Sequence, residues 1–442
     1  MRFHRAFVLA SMLALSLVAA PVRAVELLRD ADLEYGLKQL ATPVLRAAGL
    51  SPNRVKILVV RNSTLNAFIV SNDAIFLHHG LINKLTSAPQ LQAVIAHEAA
   101  HIANGHITRR LTNLSAARNV AGLGLALAAV AAASGSAQGA AGLAIGTTSA
   151  AQRAFLRHTR AEEASADQSA IRYLAAAGIP PVGMREVLEV FRGQENLSEG
   201  RQDPYVRTHP LSRDRVRAVD GFVAAYGAGG APDATSAYWF ARVKGRLSAY
   251  TRAPSWTLRQ LRRETYPDVK LVREAIAQSR QANTRRALAA IDRALAARPN
   301  DPYLHDTRGQ ILMDARQFAA AANAFGRGAQ LAPRDGLILA GYGRALLASG
   351  QVGAARDALE RARSIDFRDS VMLRDLSVAY ARGGQTGMAA LVTAERFALQ
   401  GRLEDAGIHA RRASGLLATG SGPWQRAQDV LIASERAAKR RR

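Results

Sequence analysis

Leu33, Leu37, Leu40, Val44, Leu45 and Leu50 recur near the helical period with polar positions between them, and predict one amphipathic helix. Residues 54–79 change period. RVKILVV, NAFIV and AIFLHHG are short β-rich runs broken by Asn62-Ser63 and by Ser71-Asn72-Asp73, so a small sheet of about three strands is expected. The helical period returns in TSAPQLQAVIAHEAAHIANGHITRRL, where Ser87 fits an N-cap and Pro89 the first turn; the helix should run from Ala88 to at least His101. Residues 118–150 carry no charge after Arg118 and are mostly Ala, Gly, Val and Leu, interrupted by Ser134-Gly135-Ser136. So little apolar drive favours a buried or membrane-touching helical hairpin over two spans of a bilayer.

From about residue 270 the pattern repeats. Asp301, Asp335 and Asp369 sit in similar turns 34 residues apart, and Gln317, Gln351 and Gln385 keep the same interval. Two helical stretches per 34 residues are the signature of tetratricopeptide repeats, each unit burying its apolar face only by stacking on the next. Asn283 and Ala287 precede Gln317 and Ala321 by that interval and place an earlier, diverged unit near residue 265. After Gln385 a comparable turn comes 17 residues later, so residues 388–437 are expected to form an irregular cap. Between 217 and 262, DATSAYWFARVKGRLSAY predicts a helical connector.

At 442 residues, the chain has room for two or three domains. The N-terminus combines Arg2 and Arg5, an apolar run from Phe7 to Ala20, and the small-residue end Val22-Arg23-Ala24, which predicts a cleavable export signal over residues 1–24. An uncleaved anchor would need a longer run, about 20 apolar residues. There is no cysteine, so neither disulfides nor a lipidated N-terminal cysteine can serve an exported form. The formal charge of +24 favours anionic surfaces such as lipid headgroups. Nucleic acid is not expected as a partner, because basic and aromatic residues do not interleave.

Chemistry concentrates in HEAAH. His97 and His101, four apart on a helix, project from one face and can reach one ion, while Glu98, one step round, can act on a water beside it. That is the H-E-x-x-H arrangement, in which zinc acidifies water and polarises a carbonyl. A catalytic zinc needs a third protein ligand. His106 would point away from His97 on a continued helix, and reads as a polar or supporting residue. Glu163 and Asp167 in RAEEASADQSA share one face of a second helix; the first can close the site and the second can fix a ligand histidine's tautomer. On their own, Glu162 and Glu163 read equally well as solvated charge.

LNAFIV (65–70), AIFLHHGLI (74–82), HEAAH (97–101), TRAEEASAD ending at Asp167, and THPLSRDRV (208–216) follow one another in the order of a known family. The chain resembles the M48 gluzincin-type zinc metallopeptidases, in the periplasmic form that carries C-terminal tetratricopeptide repeats. The resemblance implies an α+β, mainly helical zincin-type protease domain with a small sheet (residues 25–262), then an all-α repeat solenoid (263–442). It implies one zinc ion per chain held by His97, His101 and Glu163, with Asp167 behind them and Glu98 as general base. His209 falls where the family places transition-state support or a removable plug, and Arg215 is the arginine that follows. Protein or peptide substrates, recruitment of an envelope assembly machine through the repeats, and peripheral membrane contact through 118–150 complete the expectation. The alternative is a repeat scaffold or chaperone whose protease-like part is autoinhibited or inactive. AIFLHHG is expected at the sheet edge, where an extended substrate could pair with it. A second metal site at His78-His79 is disfavoured, since neighbouring strand residues face apart. The turn before IFL, Ser71-Asn72-Asp73, departs from the family's Pro-Gly-Gly type.

Overall fold

A computed structural model describes residues 26–106, 160–198, 201–227 and 233–441. The expected signal and the 118–150 hairpin lie outside the described residues.

Helix α1 (Ala31–Ala47) buries the leucine stripe, and Asp30 caps its start by accepting from Leu33 N at 2.9 Å. The sheet that follows has four strands, ordered β1-β2-β4-β3. β2 (Lys56–Val60), β3 (Ala67–Ser71) and β4 (Ala74–His78) match the three β-rich runs. β1 (Leu27–Leu28) adds an antiparallel partner to β2, and two residues are too few to show an alternation. β2 and β4 are parallel, β3 and β4 antiparallel.

The edge expectation needs correction. Among the described residues β3 is a sheet edge, and AIFLH is the interior strand β4, bracketed by β2 and β3. Its continuous apolar run, with Ala74, Ile75 and Leu77 buried, suits a strand with neighbours on both sides. His79 is not in the strand at all; it opens α2 (His79–Lys84).

Helix α3 (Ala88–Ala103) starts as its sequence demands: the Ser87 hydroxyl accepts from Gln90 N, and Pro89 occupies the first turn. Every residue from Ala88 to Ile102 is buried, so the polar groups of His97, Glu98 and His101 must find partners inside the protein. α4 (residues 160–176), α5 (Val182–Val190), α6 (Pro204–Thr208) and α7 (Arg213–Tyr226) complete the surroundings of α3.

α8 (Ala234–Thr251) and α9 (Pro254–Gln260) form the helical connector. The repeats then run as helix pairs: α10 (Pro267–Arg280) with α11 (Thr284–Ala297), α12 (Pro302–Asp314) with α13 (Phe318–Leu331), α14 (Gly336–Ala348) with α15 (Val352–Ile365), and α16 (Ser370–Arg382) with α17 (Thr386–Leu399). The 34-residue aspartates are N-caps. Asp301 accepts from Tyr303 N, Asp335 from Leu337 N and Ile338 N, and Asp369 from Val371 N and Met372 N. The recurring Gln317, Gln351 and Gln385 open the second helices with φ of −89°, −84° and −91° and ψ of 65°, 66° and 64°.

Residues 388–437 are not irregular. Arg402 adopts the same turn, φ −84° and ψ 65°, and leads into α18 (Leu403–Leu416), followed by α19 (Gly422–Arg441). The shortened interval marks helices that keep packing after the repeat register is lost. Among the described residues no helix is long and apolar enough to cross a membrane.

Candidate metal centre

α3 and α4 bring the two halves of the site together. His97 Nε2 and His101 Nε2 are 3.1 Å apart, and Glu163 approaches each of them at 3.2 Å. His209, at the end of α6, places Nδ1 3.2 Å from His97 Nε2 and 3.0 Å from Glu163. One ligand atom from each of these four buried residues falls within 4.8 Å of the others. Ligands about 2.0–2.1 Å from a tetrahedral ion stand about 3.3–3.5 Å from one another, so the donor set and its spacing fit a metal ion.

The groups behind the donors decide which nitrogen faces inward. His97 Nδ1 lies 3.0 Å from Asp167 Oδ1, which turns that nitrogen to the carboxylate and leaves Nε2 facing the centre. Asp167 is gripped by both arms of Arg215, Nε at 2.7 Å and Nη2 at 2.8 Å. Arg215 Nη1 also donates to the carbonyls of Pro210 at 2.9 Å and His209 at 3.3 Å, so one guanidinium ties the His209 loop to the support of His97. His209 Nε2–H donates to the carbonyl of Ala67 on β3 at 3.2 Å, which aims the Nδ1 lone pair at the cluster. The same Nε2 lies 3.3 Å from Glu98 Oε1.

The field is that of a cation site. Burial works against a charged His97, yet hydrogen bonds to Asp167 and Glu163 outweigh it and raise its pKa to about 10. His101 goes the other way, pushed by burial down to about 3 despite Glu163, with charge on His97 and His209 opposing its own. Burial favours the protonated form of Glu163, but the three surrounding histidines hold it well below the usual carboxylate range. Asp167 is likewise held low against burial by Arg215 and His97. A divalent cation would meet the same negative field and replace the proton that field holds on His97 Nε2, freeing that nitrogen as a ligand.

Two residues near the centre were not legible as such. α3 stops at Ala103, and Gly105, with φ of +68°, turns the chain back so that His106 Nδ1 lies 2.9 Å from His101 Nδ1. His106 would face away only on a continued helix; past Ala103 the turn brings it to His101, where it fits a supporting place. Tyr205 is the other. Its ring packs against His209, centroids 4.7 Å apart, and its buried hydroxyl has no hydrogen-bond partner among the described residues. Nothing in the spacing of PYVRTHP marks it. His78 and His79 lie outside the four-residue cluster.

The Peptidase family M48 model matches residues 28–223, which contain all four donors, and a tetratricopeptide-repeat model matches residues 312–374. Metalloprotease LoiP of Escherichia coli (strain K12) is 30% identical over 206 residues, 45% of this chain and 74% of that protein. The chain belongs to peptidase family M48. The beta-barrel assembly-enhancing protease of the same E. coli strain is 25% identical over 190 residues, 43% of the M48 chain and 39% of that relative. The match thus spans about two fifths of the relative's length. A solved structure of MamA (residue 41 to the end) from Desulfovibrio magneticus RS-1 covers 37% of the M48 chain and 94% of its own, at 20% identity and a TM-score of 0.33.

Proposed function

We propose that this M48 chain is an exported, zinc-dependent endopeptidase that acts in envelope protein quality control or outer-membrane protein assembly, its repeats recruiting substrates or an assembly partner. Residues 1–24 would be its signal, 25–262 the peptidase unit and 263–442 the repeat unit. The carrying observation is the buried group of His97, His101, Glu163 and His209, with Asp167 and Arg215 behind it and Glu98 beside it. The relatives' names, a metalloprotease and a beta-barrel assembly-enhancing protease, support the envelope assignment.

His97, His101 and Glu163 would hold the ion. When bound, zinc acidifies water and polarises a peptide carbonyl. Glu98 supplies the proton chemistry: its carboxylate takes a proton from the attacking water and returns it to the leaving amine. Asp167 keeps His97 in the right tautomer, and Arg215 keeps Asp167 in place. Purified mature protein should carry one zinc per chain and cleave unfolded casein, and a chelator should abolish the cleavage. Protein that folds, binds no zinc and leaves casein intact would refute the assignment.

A second reading concerns the resting state. Four protein donors close a tetrahedral site, whereas catalysis needs one position open. His209 is the donor that comes from outside the α3–α4 pair, on a short loop held by Arg215 and Ala67. It acts as a plug in this arrangement. His209→Ala should therefore raise kcat/KM for casein about tenfold, as expected when a competent form populated near a tenth becomes the main one. A loss of activity instead would assign His209 to transition-state support.

A further inference from the structure

The edge strand of the sheet leads from the metal centre to the repeats. Backbone groups of β3 alternate in direction: Asn66 O accepts from His78 N on β4, so Ala67 and Ile69 turn theirs away from the sheet, and Ala67 O is the acceptor His209 holds. Away from the core, β3 carries Phe68, stacked on Phe76 with centroids 5.2 Å apart, and Val70, which is 64% exposed. At the far end of the strand stands a turn of the repeats. Asp366, just after α15, pairs with Arg29 at 2.8 Å and with Lys56 at the start of β2 at 2.9 Å; Arg368 pairs with Asp73 in the β3–β4 turn at 2.7 Å. Phe367 lies between these two anchors and is 57% exposed.

We infer that residues 366–369 form the outer wall of the substrate cleft, and that Phe367 receives an apolar side chain of an extended protein substrate paired along β3. This rests on the peptidase reading of the metal centre. An exposed edge with one end in that centre offers main-chain hydrogen bonds to any extended chain, with little demand on its sequence. Specificity then comes from what the chain meets on the way. Ala67 to Ser71 is about 14 Å at ~3.4 Å per residue, so the side chain reaching Phe367 belongs four to five residues from the scissile bond, on the Ser71 side. The repeats are in this way part of the cleft and select the segment that is cut.

The chain has no cysteine, which makes single-cysteine probes clean. In the Glu98→Gln background, Val70→Cys, Phe367→Cys and, as a distant exposed control, Ile408→Cys would each carry a benzophenone and be irradiated with casein. Adducts are expected at 70 and 367, on neighbouring residues of the same casein segments, and not at 408. In the wild-type background, Phe367→Glu should raise KM about tenfold for casein peptides with Leu or Phe at the predicted spacing, with kcat unchanged and a smaller effect on the Ser-substituted peptides. Adducts at 70 without 367, adducts at 408 equal to those at 367, or a KM blind to the Leu-to-Ser exchange would overturn the inference while leaving the peptidase reading intact. Wild-type protein that cleaves no casein would overturn that reading, and the inference with it.

Discussion

Glu98→Gln should lower kcat and kcat/KM for casein together, by about 10²–10⁴-fold, while the protein keeps its fold and its metal. The substitution is isosteric, and Glu98 is not one of the four clustered donors, so the metal-to-protein ratio should be unchanged. A proton acceptor is lost in the transition state and hardly at all in the ground state, which is why KM should stay where it was. Glu163→Gln makes the contrast. It weakens a donor whose carboxylate His97, His101 and His209 all approach, and it should cost metal and activity together. Metal analysis alongside single-turnover cleavage separates the two variants. If Glu98→Gln cuts casein at the wild-type rate, Glu98 is not the base, and the site works by another group or not at all.

That His97 and His101 share one face, and Glu163 and Asp167 another, was readable from the sequence, and the reason is local. Two histidines four apart, capped into a helix by Ser87 and Pro89, have one possible common face, and a carboxylate pair with the same spacing has another. Helix period aligns each pair on its own face, but only the ordered family resemblance picked Glu163 and Asp167 out from solvated charge. The repeats were readable for the same reason: Asp301, Asp335 and Asp369 each cap a helix, and a cap is a short-range need that recurs wherever the helix does. What failed to show was set by tertiary pairing. Whether AIFLH was edge or interior depended on which strand β3 left uncovered, a long-range choice with no mark in either run. His106 could be placed only as polar or supporting, because Gly105 ends the helix before it and sets its direction through a turn that helical spacing does not show. Arg242 and Arg246 lie in the stretch that reads as a helical connector, and both are buried, with partners some 210 residues earlier in the chain and others roughly 60 later.

Arg246→Ala should destabilise the protein by about 3–5 kcal/mol, the usual cost of leaving buried charge without its partner. Arg246 is 1% exposed. Its Nε and Nη2 grip Asp30 at 2.6 and 2.7 Å, and its Nη1 donates to Thr307 of α12 at 2.7 Å. Asp32 and Asp306 stand next, at 3.5 and 3.8 Å. One turn earlier, Arg242 joins Asp32 at 2.6 Å to Asp301, the cap of α12, at 2.7 Å. Two arginines on one face of α8 therefore clamp the start of the peptidase region to the first helix of the second repeat pair. Burial already pushes the carboxyls of Asp32 and Asp306 up, and Arg246 is among the charges that hold them down. Without it their folded pKa values rise further, and a group with a raised folded pKa contributes stability at low pH that is lost as pH climbs through that value. The deficit of Arg246→Ala in urea unfolding should accordingly be smaller near pH 5 than near pH 8. Asp30→Asn keeps the cap on α1 but removes a half-buried charge left without its partner, so the double variant Arg246→Met, Asp30→Asn should recover part of the loss. A deficit below about 1 kcal/mol, or one that does not change with pH, would mean that the clamp is solvated and the repeats are free to move against the peptidase region. That freedom would also undo the fixed wall assigned to Phe367, since both rest on the same docking of repeat helices onto the end of the sheet.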